Sequence, residues 1–141
     1  VHGLGGLRVG WGAASEEIIS VMNRIRGPFN VSAAGLAAAE AAISDTAWWR
    51  DAVRKTNLLR EKFVAFLGEQ EIRHIPSAGN FVTLLLDDAT SSKALDQHLR
   101  DHGIITRSVA SYHIPEGLRV SIGDEPAMIR VCDAIKSWAR P

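Results

Sequence analysis

The chain has 141 residues, 46% apolar and 23% charged, with 16 Lys and Arg balancing 16 Asp and Glu. Those values describe a globular chain and exclude a disordered one, and electroneutrality argues against a nucleic-acid polyanion as the main partner. The single Cys132 excludes an internal disulfide framework and suits a reducing, cytoplasmic setting, and no stretch approaches the roughly 20 apolar residues that span a bilayer.

The first residues contain no Met, basic region or apolar run of a signal peptide, so the chain reads as a piece of a longer protein. "LRVGWG" reads as a short strand. "AASEEIISVMNRI" then reads as a helix, with Ser15 as cap and Glu16 and Glu17 in its first turn. Gly27-Pro28 ends it. "NVSAAGLAAAEAAIS" is an alanine-rich helix, either deeply buried or packed tightly on a neighbour. In "DTAWWRDAVRKTNLLREKFVAFLGEQ", Trp48, Ala52, Leu59, Phe63 and Phe66 recur at helical spacing, and Gly68 offers a stop. At ~1.5 Å per residue this helix runs on the order of 35 Å, enough to bridge two domains.

"NFVTLLLD" follows as a buried strand, "SSKALDQHLRDHG" as a helix closed by Gly103, and "IITRSV" and "LRVSIG" as two more strands. "DEPAMIRVCDAIKSWAR" is the final helix, with Asp124 as N-cap and Pro126 in its first turn. This order predicts an α/β (or α+β) domain with helices covering a small sheet. Residues 1–45 form one part, and residues 46–141 hold the long linking helix and a second, small domain.

The opening glycines miss a dinucleotide fingerprint, because Gly3-x-Gly5 is followed by Arg8 where a third glycine belongs. No Gly-Lys-Ser/Thr follows either. Arg8 lies between Leu7 and Val9, Arg119 between Leu118 and Val120, and Arg107 in "ITRSV". An arginine on an apolar strand needs a fixed anion, either a phosphate or a structural carboxylate. Three in a neutral chain suggest anion recognition; exposed edge positions are the alternative for Arg107 and Arg119. His98 and His102 stand four apart on a helix, but with no third ligand nearby they read as a solvated face, and no metal site is expected. His2 lies beside the glycines and His113 in a loop. Trp48 fits a buried helix face, and Trp49 a domain or subunit contact.

"GLGGLRVGWG", "RGPFNVS", "SAGNFVTLL" and "GLRVSIG", in that order, resemble the C-terminal portion of fold type I pyridoxal-phosphate aminotransferases, within which the histidinol-phosphate aminotransferases are most similar. The resemblance runs through essentially the whole chain. It implies the end of the large cofactor-binding domain over 1–45 and the small C-terminal domain after it. It implies that Arg8 binds the phosphate of pyridoxal 5'-phosphate, Arg119 a substrate α-carboxylate, and Arg107 the phosphate end of histidinol phosphate. Asn30 falls where such dimers bring a loop toward the neighbouring active site, so it is a dimer-interface candidate. His2 and Gly5 depart from the family pattern, which favours an aromatic residue and an alanine there.

The resemblance also puts the Schiff-base lysine immediately before Val1. Lys55, Lys62, Lys93 and Lys136 match nothing catalytic, so these residues alone are not expected to transaminate. The start is either that of a true fragment or a break at a cofactor-modified lysine. The implied reaction is a ping-pong transfer from histidinol phosphate to 2-oxoglutarate, in a cytoplasmic homodimer without nucleic-acid or membrane partners. Movement of the small domain on the long helix would close the site over the substrate. The alternatives are aromatic-amino-acid transfer or threonine-phosphate decarboxylation on the same fold, or a non-catalytic anion-binding module.

Overall fold

The computed structural model describes residues 2–138. The chain divides into two compact units, Val1–Val53 and Arg54–Pro141, with the division inside its longest helix. The first unit holds a 3-10 turn over Leu4–Leu7, helix α1 (Glu16–Ile25), helix α2 (Ala33–Ser44) and the beginning of α3 (Thr46–Glu69). Ser15 stands at the N-cap of α1 with Glu16 and Glu17 behind it, though its hydroxyl makes no capping bond. Ser32 does cap α2, accepting from the Gly35 N–H at 3.0 Å.

The strand expected over "LRVGWG" does not form. A strand needs a neighbour to pair its N–H and C=O groups, and the described residues of this unit contain no other strand. A 3-10 turn over Leu4–Leu7, entered through Gly3 at φ 69°, takes up Leu7, and residues 9–12 adopt no regular element. Gly35 is the one buried residue among those described here, and a Cβ on it would stand 2.9 Å from Cγ2 of Val9. The remaining small side chains of α2 are not buried, so of the two readings of so alanine-rich a helix the described residues do not show the deep burial. On α1, Ile18, Val21, Met22 and Ile25 form a stripe at i, i+3, i+4 and i+7, and all four are exposed. Among the described residues this unit has no buried hydrophobic cluster of its own.

The second unit has one. The C-terminal half of α3 leads to strands β1 (Arg73–Ile75) and β2 (Phe81–Leu85), helix α4 (Ala89–Asp101), strand β3 (Arg107–Ser108), a 3-10 turn over Ala110–Tyr112, strand β4 (Gly117–Ser121) and helix α5 (Glu125–Ser137). The strands form an antiparallel sheet in the order β1-β2-β4-β3. β1, too short to show a periodicity, had no counterpart in the sequence reading. Phe63, Phe66 and Leu67 of α3, Leu95 and Leu99 of α4, and Val131 and Ile135 of α5 cluster with Val82, Leu84, Leu118 and Val120 of the sheet. Alternation sends the residues between these to the other face, which bears no helix of this unit's core.

Helix ends follow local chemistry. Asp88 caps α4 through the Ser91 N–H (2.7 Å) and Asp124 caps α5 through the Ala127 N–H (2.9 Å), with Pro126 in the first turn. Gly103, at φ 72°, closes α4 with bonds from its own N–H to Arg100 and from Ile104 N–H to Leu99. α3 ends by the same pattern, but Gly68 does not supply the left-handed residue. Glu71 does, at φ 55°, as Ile72 N–H reaches Leu67 and Glu71 N–H reaches Gly68. α5 ends at Ser137 in front of Trp138, and the predicted extension to Arg140 lies outside the described residues.

Candidate active site

The 3-10 turn leaves Arg8 at its C-terminal end with φ 58° and ψ 38°. A non-glycine residue in this left-handed region costs on the order of 1–3 kcal/mol, and such positions cluster at functional sites. The side chain is exposed, and among the described residues its guanidinium bonds only to the Gly5 carbonyl, at 3.0 Å. No carboxylate there neutralises it. A Cβ at Gly5, Gly6, Gly10 or Gly12 would meet nothing within 4 Å, so contacts within the chain do not demand those glycines. His2 turns its ring edge-on to Trp49, with centroids 6.4 Å apart, and its buried Nδ1 has no partner among the described residues. Trp49 is thus the half-buried tryptophan of the pair, whereas Trp48, expected on the buried face, is half exposed. Asn30 is exposed, next to the fully exposed Phe29. The position next to which the lysine was placed, Val1, lies outside the described residues.

In the second unit the register brings two of the predicted residues together. Arg119 of β4 is the Cα partner of Arg107 on β3 and, on its other side, of Thr83 on β2, which pairs with Ile75 on β1. These four form a row across the sheet, on the face opposite that of Val82, Leu84, Leu118 and Val120, and Thr83 in its middle is buried. Arg107 is exposed and Arg119 half-buried. Like charges directly opposite one another destabilise a ladder. Both guanidinium groups carry a permanent charge. The Nε of Arg119 is buried with no hydrogen-bond partner among the described residues.

Each arginine meets an aromatic ring that sequence inspection missed. The Cζ of Arg119 lies 5.0 Å from the ring centroid of Phe81. That of Arg107 lies 6.0 Å from Tyr112, and its Nη2 donates to the Tyr112 hydroxyl over a long 3.4 Å. Neither arginine has an acidic partner among the described residues. Two cations opposite one another in the ladder, one with an orphaned N–H, are thus left without a counter-charge among the described residues.

The other candidates turn out structural. His98 Nε2 donates to the Ala134 carbonyl at 2.9 Å and is half-buried against α5, whereas His102, whose Nδ1 donates to the His98 carbonyl at 2.8 Å, is exposed, as a solvated face requires. No group of three or more metal-ligating side chains occurs among the described residues. Burial pushes the Cys132 thiol up, which makes it a poor nucleophile.

The family model for aminotransferases of class I and II matches residues 1–135. The chain belongs to this family. It is 42% identical, over 96% of its length, to the histidinol-phosphate aminotransferase of Roseobacter denitrificans, and 41% identical, over 98%, to that of Ruegeria pomeroyi. It spans about 38% of the length of these relatives. Among solved structures it matches the histidinol-phosphate aminotransferase of Sinorhizobium meliloti in complex with pyridoxal-5'-phosphate. That match has a TM-score of 0.81 and 28% identity, and covers 97% of this chain and 39% of that one. The α/β fold is therefore an aminotransferase fold, and the small antiparallel sheet with its helices belongs to it. Among the described residues no helix is long and apolar enough to cross a membrane.

Proposed function

We propose that the whole protein is a cytoplasmic, homodimeric pyridoxal-phosphate aminotransferase that moves the amino group of histidinol phosphate to 2-oxoglutarate, giving imidazole acetol phosphate and glutamate. The observation that carries this reading is the Arg107–Arg119 pair, two cations opposite one another in the ladder with no acidic partner among the described residues. The names of the relatives favour this amino donor over an aromatic amino acid.

On this reading residues 1–45 belong to the large cofactor-binding domain, and residues 46–141 are the linking helix and the small domain. Arg8 fits a phosphate, being an exposed planar cation without a carboxylate partner among the described residues. When bound, pyridoxal phosphate supplies the electron sink for bond-breaking at the substrate α-carbon. Arg119 would grip a carboxylate with two parallel N–H donors, and Arg107 would hold the phosphate end of the amino donor. Histidinol phosphate has no carboxylate and glutamate has one, so the pair serves two differently shaped anions in alternate half-reactions. Lys55, Lys62, Lys93 and Lys136 match nothing catalytic in the family pattern, which puts the Schiff-base lysine immediately before Val1. Asn30 would face the neighbouring protomer.

The test uses the full-length protein with 2-oxoglutarate and either histidinol phosphate or phenylalanine. Turnover should favour histidinol phosphate, and Arg119→Ala should lower kcat/KM for 2-oxoglutarate by ~30–1,000-fold, the loss typical of a buried charge pair stripped of one partner. Preference for phenylalanine overturns the substrate. A loss of only a few-fold in Arg119→Ala overturns the carboxylate assignment.

A further inference from the structure

Phe81 begins β2, and its place in the ladder makes it a diagonal neighbour of Arg119. Phe81 pairs with Ser121, and Thr83, two residues on, pairs with Arg119 itself. The ring centroid lies 5.0 Å from the Arg119 Cζ. A ring face attracts a guanidinium through its quadrupole without accepting a formal charge from it. A carboxylate in the same place would neutralise the arginine and compete with any incoming anion. Arg107 differs, since the Tyr112 hydroxyl occupies one of its donors.

The ring is itself held. A Cβ at Gly79 would come within 3.3 Å of Cε1 of Phe81, tighter than ordinary contact, and within an ordinary 3.5 Å of Cδ1, so only glycine leaves the ring its full room. The Gly79 carbonyl accepts from Nη1 of Arg60 on α3 at 2.9 Å, and the neighbouring Asn80 carbonyl accepts from the Ile122 N–H at 2.8 Å, just past β4. The segment before β2 is thus tied to α3 on one side and to the end of β4 on the other.

We propose that Phe81 is a positioning residue for Arg119: its ring fixes the guanidinium plane and leaves the N–H donors to a substrate carboxylate, while the Arg60 bond to the Gly79 carbonyl ties down the segment that carries the ring. The inference rests on the assignment of a carboxylate to Arg119, and the experiment separates the two.

Phe81→Leu, Phe81→Tyr, Gly79→Ala and Arg119→Ala are made in the full-length, cofactor-loaded enzyme. Three quantities are read: KM and kcat for 2-oxoglutarate, its Kd by calorimetry, and the thermal midpoint. Phe81→Leu should raise KM and Kd for 2-oxoglutarate ~5–10-fold, the scale of one cation–π contact, with kcat within about twofold. Phe81→Tyr, which restores the ring, should bring both back to within about twofold of wild type. Should Phe81→Leu unfold the protein, Gly79→Ala carries the test, because it displaces the ring without removing it and should raise Kd about threefold or more. If Arg119→Ala weakens 2-oxoglutarate strongly while the ring variants leave its Kd unchanged, or change only the thermal midpoint, the positioning role is overturned and the carboxylate assignment stands. If Arg119→Ala itself leaves the Kd unchanged, the assignment falls and the positioning role with it.

Discussion

Glu71 occupies a backbone position that glycine occupies at the end of the next helix. Both α3 and α4 close through a residue at positive φ, 55° for Glu71 and 72° for Gly103, with the same pair of backbone bonds behind it. A side chain in the left-handed region costs on the order of 1 kcal/mol relative to glycine. Glu71→Gly should therefore raise stability by about 0.5–1 kcal/mol, read as a higher urea midpoint at unchanged slope. Gly103→Ala should lower it by a similar amount, because its new Cβ meets nothing closer than 3.6 Å and only the backbone objects. An unchanged midpoint in both variants would contradict this account. The same residue scale shows what sequence could tell about the site. Arg8, Arg107 and Arg119 stand out because cations among apolar neighbours need an explanation. Phe81 and Tyr112 do not, since an aromatic residue at a strand end or in a loop is ordinary until a register brings it beside a charge.

At the scale of elements, the helices and strands β2 and β4 were legible, because hydrophobic period and caps are local signals, and the segment expected as a strand over "IITRSV" pairs only at Arg107–Ser108. Asp124, Pro126 and Gly103 act where the sequence put them. The strand over "LRVGWG" was not, since a strand exists only through its neighbour and the pairing partner is absent from the described residues of that unit. β1 escaped for the opposite reason: three residues paired to β2 carry no pattern. A cap also has a pH signature. The Ser91 N–H, and then its hydroxyl, hold the Asp88 carboxyl below its ordinary value. A depressed value in the folded state adds stability that is present above the unfolded value and is lost as pH falls through the folded one. In Asp88→Asn, which keeps an acceptor but does not titrate, the stability gap to wild type should narrow or reverse between pH 7 and pH ~3. Equal gaps at the two values, in urea unfolding, would remove Asp88 from the acid limb.

At the scale of the molecule, the two units differ in how much they bury. The second gathers Phe63, Leu67, Leu84, Leu95, Leu99 and Leu118 into one core, each almost wholly removed from solvent. In the first, only Gly35 is buried among the described residues, while Trp11, Ile25 and Phe29 are exposed beyond 80%. Burial of this kind is what makes unfolding cooperative. Residues 54–141 produced alone should unfold in a single thermal transition, and residues 1–53 alone should show none. A cooperative transition in the shorter piece, or its absence in the longer, would contradict the assignment of the core. Family membership adds what burial cannot, because 38% of a relative's length leaves most of the possible covering surface outside this chain.

The antiparallel partnership of Arg107 and Arg119 has one more consequence. β3 is two residues long and sits at the sheet's margin, so the repulsion between the two side chains falls where few backbone bonds resist it. An anion lodged between them would turn that repulsion into a bridge.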